Sequence, residues 1–201
     1  SARISSTQRG NAFVPEHSLK PLTPLGHESP ETVTLGPVTI AEVVDIALAS
    51  LAVRAGRGGD VATAARKAGI ALPPPGHAAA GDPWSAFWMG PEMWMIAAPC
   101  STHEDIVAAL KPVFGDAASL TEQTDAWARF RVTGRDLPRL FERLCGADLD
   151  RASGGQAIRT TIEHLGAFLL VREDGAIDVL SARSSAASLH HAIIAAAKSV
   201  F

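Results

Sequence analysis

The sequence predicts an α+β protein made of two related halves, each an antiparallel sheet backed by helices. A repeated phrase is the first observation behind this prediction. Residues 93–114 and 177–201 both read as a short apolar strand, a break that carries serines, and an alanine-rich amphipathic helix. The second observation is that a strand-plus-helix phrase precedes each copy by a similar distance, TIAEVVDIALASL before the first and FRVTGRDLPRLFERL before the second.

Length and charge set the limits of the interpretation. With 201 residues, 47% of them hydrophobic, the chain can bury a sizeable core as one domain of two halves, 33–115 and 116–201. The formal net charge of −3 offers nothing that attracts nucleic acid phosphates. No apolar run approaches the length of a membrane-spanning helix. The two cysteines, Cys100 and Cys145, lack metal-site spacing and are expected to be reduced thiols.

The first half begins after residues 1–32, a proline-punctuated segment that we expect to form an extended arm against another subunit. Residues 32–40 read as strand, interrupted by a Gly-Pro pair that permits a turn. Residues 42–54 carry apolar side chains at helical spacing and predict a helix. Asp60 is placed to cap a second helix that ends near Gly69.

A proline-rich loop, residues 72–83, leads to the aromatic centre of the chain. Strands are predicted on both sides of the Gly90-Pro91-Glu92 turn, and they carry three tryptophans that we expect in the core or in an interface: Trp84, Trp88 and Trp94. Recognition of a cation by these rings is the alternative. Ser101 or Thr102 is then expected to cap a helix that starts near His103.

In the second half, residues 126–133 predict a strand with a bulge near Arg129. A helix follows, with Pro138 in its first turn, where a missing amide costs little. Two strands, 156–163 and 165–172, precede an Asp-Gly turn into the last strand. If Arg159 and Glu163 share a face of the first of these strands, an ion pair accounts for them better than acid–base catalysis.

The start of the final helix is the best candidate for a binding site. Arg183, Ser184 and Ser185 place a guanidinium and exposed amides together, which favours a carboxylate, a phosphate or a subunit contact. Helix capping by either serine explains the same residues equally well.

Other chemistry is not indicated. The glycine-rich GRGGD lacks the lysine and hydroxyl residue of a phosphate loop, and the Cys100–His103 pair has no second pair of zinc ligands nearby. No catalytic triad, dinucleotide fingerprint or flavin motif is present, so no residue is assigned a catalytic, cofactor-binding or metal-binding role.

Three blocks of the sequence resemble the gamma subunits of heterotetrameric sarcosine oxidases. They are TEQTDAW (121–127), IEHLG (162–166) and RSSAASLHHA (183–192), with looser agreement through LASLAVRAG (48–56), AGIALPPPG (68–76) and GPEMW (90–94). The resemblance covers most of the chain after the arm. It implies the folate-binding fold of the glycine-cleavage aminomethyltransferase, which is built from duplicated α/β units.

The resemblance implies membership of a bacterial cytoplasmic complex with alpha, beta and delta subunits. Such a complex oxidises sarcosine to glycine with O2, giving H2O2 and either formaldehyde or 5,10-methylenetetrahydrofolate. It implies FAD, FMN, NAD, tetrahydrofolate and zinc for the other subunits and none for this chain. The chain is shorter than a full aminomethyltransferase, and the catalytic aspartate of that enzyme has no matching position here. A structural, non-catalytic subunit is therefore expected, and a folate- or anion-binding module is the alternative.

Overall fold

Two antiparallel sheets form the centre of the protein in a computed structural model that describes residues 20–201. The arm prediction lies outside the described residues over positions 1–19. The strands are β1 (Thr32–Leu35), β2 (Val38–Glu42), β3 (Ile46–Val53), β4 (Ala78–Ala79), β5 (Ser85–Gly90), β6 (Met93–Pro99), β7 (Ala118–Glu122), β8 (Trp127–Gly134), β9 (Gln156–Ile162), β10 (Leu165–Val171) and β11 (Ile177–Ala182). The α-helices are α1 (Gly58–Lys67), α2 (Cys100–His103), α3 (Ile106–Phe114), α4 (Leu137–Phe141) and α5 (Ala186–Val200).

The two sheets have corresponding strand orders. The first sheet runs β4-β5-β6-β3-β7, and the second runs β9-β10-β11-β8-β2-β1. Every pairing is antiparallel. The predicted α+β class with antiparallel sheets backed by helices is confirmed.

The chain contains one structural unit twice. Each unit runs strand, strand, helix, three strands, helix, beginning at β2 in the first copy and at β7 in the second. The opening strand of each unit pairs into the other unit's sheet, since β2 lies beside β8 and β7 lies beside β3. The repeated phrase at 93–114 and 177–201 therefore corresponds to equivalent strand–helix pairs, β6 with α3 and β11 with α5. Between the predicted halves, 33–115 and 116–201, the hydrogen-bonded sheets exchange strands in both directions, so neither sheet is built from one half alone.

Three apolar layers hold the sheets and helices together. One lies between the second sheet and helices α4 and α5, around Phe130 and Phe141. Another lies between the first sheet and helices α1 and α3, around Leu51 and Ile96. The third lies between the two sheets and contains Leu48, Phe87, Met95, Ala97, Ala157, Phe168, Leu170 and Leu180. Both sheets are thus covered on both faces, in the layer order helix, sheet, sheet, helix.

The predicted helix at 42–54 is wrong, because residues 46–53 form β3. Ala47, Ala49 and Leu51 face the helices, whereas Leu48 faces the other sheet. A strand that is buried on both faces has an almost continuous apolar run, and such a run also satisfies helical spacing. Pairing with β6 and β7 on its two sides decides the conformation.

The predicted bulge near Arg129 is also wrong. Residues Trp127–Val132 pair in an unbroken register with β11. Ala128, Phe130 and Val132 are buried on the helix-covered face, and Trp127 lies on the opposite face. Regular alternation along β8 therefore explains these positions without an inserted residue.

Glycine is required at the end of β8. Gly134 has a φ of 128°, and a Cβ there would collide with the carbonyl oxygen of Pro37.

Helix starts differ from those predicted. Asp60 lies inside α1, in the first turn, where its charge suits the helix dipole without capping. Asp105 caps α3 by accepting a hydrogen bond from the Ala108 amide at 2.9 Å, the role predicted for Ser101 or Thr102. Ser185 occupies the N-cap position of α5, but its side chain makes no capping bond.

Two turns in the second sheet bear on the predictions, one confirming a turn and the other excluding an ion pair. Asp174 and Gly175 form the predicted tight turn into β11, with the Asp174 carboxylate accepting a hydrogen bond from the Ala176 amide at 3.1 Å. Glu163 lies in the turn between β9 and β10 with a φ of 46°. It therefore does not share a strand face with Arg159, and that ion-pair interpretation is wrong.

Candidate functional site

Arg183 holds the segment before β1 against the second half of the chain. One of its guanidinium nitrogens donates to the Leu22 carbonyl at 2.6 Å, and the other lies 3.3 Å from the Asp125 carboxylate. Ser184 is exposed, and Ser185 is partly buried. The guanidinium is thus occupied by the protein itself, and an anion or subunit contact at Arg183, Ser184 and Ser185 stays a prediction.

The three tryptophans are partly buried, with Trp84 just before β5, Trp88 on β5 and Trp94 on β6 of the first sheet. Trp84 packs edge-on against His103, with ring centroids 4.5 Å apart. The Trp94 indole donates to the Pro73 carbonyl at 2.8 Å and lies opposite Trp88 across the β5–β6 pair. Trp84 and Trp94 pack on the apolar layer beneath helices α1 and α3. Core packing therefore explains the positions of Trp84 and Trp94. An interface role for Trp84, Trp88 and Trp94 stays a prediction.

Two cavities open where the sheets separate. A cavity of about 300 Å³ lies beneath residues 21–24 and extends to Arg183. A larger crevice, of about 510 Å³, lies between β5 and β10 and is bounded by the loop that contains Ala80. Ile46, Leu48 and Arg129 line both of them. Arg129 is therefore the polar side chain that the linings of the two spaces share.

A charged cluster lies on the wall of the larger crevice. It consists of Asp178 on β11, Arg129 and Arg131 on β8, and Arg172 just after β10. Alternation along β8 turns both arginines toward the other sheet, and the register places Arg131 directly opposite Asp178. The strand pairing thus assembles charges that are far apart in sequence.

Asp178 is fully buried and accepts four hydrogen bonds. Arg129 Nη2 lies 2.6 Å from Oδ2, and Arg172 Nη1 lies 3.4 Å from the same oxygen. Arg131 binds both carboxylate oxygens, Nε to Oδ1 at 2.7 Å and Nη2 to Oδ2 at 3.0 Å. This bidentate geometry is the strongest form of the arginine–carboxylate pair.

The arginines keep Asp178 ionised despite its burial. Burial alone raises the pKa of a carboxylic acid, but the hydrogen bonds and charges of Arg131 and Arg129 outweigh it and lower the pKa of Asp178. The hydrogen bond with Asp178 correspondingly raises the pKa of Arg131. The cluster therefore carries three positive charges and one negative charge.

The cluster has more donors than its single carboxylate accepts. Arg129 Nε is buried and has no hydrogen-bond partner. Among the described residues, the Asp178 carboxylate is the acceptor for every side-chain hydrogen bond that Arg129, Arg131 and Arg172 make. Buried guanidinium donors without acceptors are uncommon, because removing them from water costs free energy.

Sequence reasoning missed this cluster. The signal was an aspartate in the middle of the apolar run AIDVL, together with two arginines at alternate positions of β8. A buried acid needs a partner, and alternation placed both arginines on one face. The register between β8 and β11, which sequence does not provide, was needed to join them.

The remaining candidates carry less chemistry. His103 Nδ1 lies 2.9 Å from the Thr102 hydroxyl, and burial, with nearby carboxylates, raises the pKa of the Cys100 thiol. Residues 20–201 contain no group of three or more His, Cys, Asp or Glu side chains arranged to hold a metal ion. Over the same residues, no helix is both long enough and apolar enough to cross a membrane.

Comparison with solved structures finds the same fold in an enzyme complex. The chain superposes with a TM-score of 0.73 and 20% identity on the heterotetrameric sarcosine oxidase from Corynebacterium sp. U-96, solved with pyrrole 2-carboxylate. The match covers 85% of this chain and 88% of that chain.

The fold is also found in a one-carbon transfer enzyme. The glycine cleavage system aminomethyltransferase T from Bartonella henselae matches with a TM-score of 0.59 and 9% identity, over 80% of this chain but 46% of that chain. No protein-family model and no curated protein matches the sequence. At these identities the likenesses show the fold, and the predicted aminomethyltransferase-like, folate-binding-like architecture is confirmed.

Proposed function

We propose that this chain is a gamma-type, non-catalytic subunit of a heterotetrameric sarcosine oxidase. The observation that carries the proposal is the mutual coverage of the structural match. The chain accounts for 88% of the matching chain of sarcosine oxidase but only 46% of the aminomethyltransferase. The matched region thus spans nearly all of one chain of the first enzyme and less than half of the second.

The proposed complex carries out the reaction, and this chain supports it. Sarcosine, O2 and H2O are converted to glycine, formaldehyde and H2O2, or the one-carbon unit passes to tetrahydrofolate as 5,10-methylenetetrahydrofolate. The partners are the alpha, beta and delta subunits in the cytoplasm, and they hold FAD, FMN, NAD and zinc.

The described residues favour a supporting role. The charged groups of the crevice bind one another, and the titratable Asp178 is fully buried with a lowered pKa. A general base needs a pKa near the working pH and access to the substrate, and Asp178 has neither. Ser101 and Ser185 precede equivalent helices, and neither makes a hydrogen bond to a histidine among the described residues.

Copurification tests the proposal. The tagged chain, expressed from its own chromosomal locus, should copurify with three other proteins in fixed stoichiometry, with flavin absorbance and sarcosine-dependent H2O2 production. The same tagged chain expressed alone in another host is the control, and it should be colourless and inactive. Purification from the native host without large partners would contradict complex membership, and stoichiometric flavin on the isolated chain would contradict the non-catalytic role.

A folate- or anion-binding module that acts directly in one-carbon transfer is the second candidate. It is favoured by the position of Arg183 at the rim of the 300 Å³ cavity, which has both apolar walls and a guanidinium. Calorimetry of the full chain with tetrahydrofolate separates the two functions. Saturable binding that Arg183→Gln weakens supports the second candidate, and no heat of binding at millimolar ligand rejects it.

A further inference from the structure

The larger crevice between the sheets is lined by both charged and apolar side chains, as small-ligand sites usually are. We infer that it binds a small carboxylate with an apolar body, held by the free donors of Arg129, Arg131 and Arg172. The inference concerns the cavity of about 510 Å³ and holds whether or not the chain is a subunit of an oxidase.

Charge balance is the first argument. Three guanidiniums converge on Asp178, whose side chain is fully buried, so the cluster carries two positive charges in excess of its own carboxylate. Arg129 has only 11% of its side chain exposed, so water screens its charge poorly. Of the other nearby carboxylates, Glu173 and Asp174 also line the crevice and Asp45 does not. All three residues are exposed, so solvent screens their charges more than it screens Arg129. A second anion inside the crevice would neutralise part of the excess.

Hydrogen-bond capacity is the second argument. Each guanidinium has five N–H donors in a fixed plane. Arg129 uses Nη2, Arg131 uses Nε and Nη2, and Arg172 uses Nη1, all toward Asp178. Arg129 Nε and Nη1, Arg131 Nη1 and two nitrogens of Arg172 remain without acceptors among the described residues, and of these Arg129 Nε is buried. Arginine forks match carboxylate oxygens in the plane, which favours a carboxylate as the anion.

The apolar part of the crevice lining, from both sheets, defines the rest of the ligand. Leu48, Phe87, Ala97 and Leu170 line the same space as the arginines. All four belong to the apolar layer between the sheets. An anion such as phosphate would leave this apolar lining against water, whereas a carboxylate with an aromatic or aliphatic body would cover it. The chemistry of both parts of the lining therefore selects an amphipathic monocarboxylate.

Benzoate is the probe for this site, with benzyl alcohol as its uncharged analogue. In calorimetry and thermal-unfolding experiments on the full chain, benzoate should bind saturably and raise Tm. Benzyl alcohol, sodium phosphate and sodium chloride at the same concentration should not. Equal effects of benzoate and sodium chloride would overturn the inference, as would equal binding of benzyl alcohol or stronger binding of phosphate.

Two substitutions locate the binding. Arg172→Gln removes a half-exposed donor while Asp178 keeps Arg129 and Arg131, and it should weaken benzoate binding about tenfold. Arg143→Gln is the matched control, because Arg143 is exposed and does not line the crevice. Equal weakening in both variants would mean a general charge effect and would overturn the inference.

Ala80→Trp tests the crevice without changing any charge. Ala80 is exposed at the mouth, so a large ring there should block entry and abolish benzoate binding. Ala187→Trp, on the exposed face of α5, is the control and should bind benzoate normally. Unchanged binding by Ala80→Trp would place the ligand elsewhere. Circular dichroism of both variants distinguishes a blocked site from an unfolded chain.

Discussion

The two sheets have corresponding strand orders, yet the surfaces with which they face each other differ in chemistry. When β3 is aligned with β8 and β6 with β11 by their pairing, Leu48 corresponds to Arg129 and Ser50 to Arg131. Met95, the partner of Ser50, corresponds to Asp178, the partner of Arg131. One copy has uncharged side chains at these three positions, and the other has charged ones.

The first sheet shows that this strand arrangement forms without charges on the facing surface. The first sheet reaches the same strand order and the same burial with Leu48 and Met95 in the apolar layer. Replacing buried ion pairs by apolar groups of similar volume is often neutral or stabilising. The charged cluster in the second sheet is therefore better explained by what it binds than by what it stabilises.

The largest expected effect on stability comes from removing the negative charge of the cluster with a substitution of similar size and shape. Asp178→Asn removes one charge and leaves the buried Arg129 without a counter-ion, which should lower the free energy of unfolding by about 3 kcal/mol. Met95→Leu at the equivalent position is the matched control and should cost less than about 1.5 kcal/mol. Urea unfolding of both variants measures the comparison, and equal losses would show that the charge has no special role.

The pH dependence of that loss should follow the lowered pKa of Asp178. A carboxyl whose folded pKa lies below its unfolded value contributes stability that is complete above the unfolded pKa of about 3.9. The stability difference between wild type and Asp178→Asn should thus be constant from pH 7 to pH 5. It should shrink as the pH falls below about 4 toward the folded pKa.

Urea unfolding across this pH range checks the sign. A difference that already shrinks between pH 7 and pH 5 would mean that the pKa of Asp178 is raised rather than lowered. Met95→Leu should show no such dependence, because the residue does not titrate.

The smallest expected effect compares the starts of the equivalent helices α3 and α5. Asp105→Ala removes the hydrogen bond to the Ala108 amide and should cost about 1 kcal/mol. Ser185→Ala should change stability by less than about 0.5 kcal/mol, because its side chain makes no capping bond. Thermal unfolding of both variants measures the two stability losses. A larger loss for Ser185→Ala than for Asp105→Ala would show that the serine caps its helix in solution.

The sequence was sufficient for the architecture and insufficient for the site. Periodicity and the repeat at 93–114 and 177–201 predicted the α+β class, because amphipathic helices and turn residues leave local signals. Residues 46–53 were misread because a strand apolar on both faces has no period of two. Asp105 was missed because several capping residues stand next to one another at 101–105.

The charged cluster could not be predicted from local pattern. Arg131 and Asp178 meet only through the register of β8 with β11, and Arg129 gains its position from an unbroken strand where a bulge was expected. Arg172 joins them from the end of β10. Contacts between residues so far apart in sequence form only in the assembled sheet. Alternation along one strand predicts which face a side chain occupies, but it does not predict which residue of another strand lies beside it.

On this account, the charged cluster serves ligand binding rather than stability. The most direct test replaces its residues by those at the equivalent positions of the first sheet. A chain with Arg129→Leu, Arg131→Ser and Asp178→Met carries the residues of the first sheet at the equivalent positions of the second. Its free energy of unfolding should equal that of the wild type or exceed it by up to about 4 kcal/mol, and it should no longer bind benzoate. A loss of about 3 kcal/mol or more, or undiminished benzoate binding, would contradict the account.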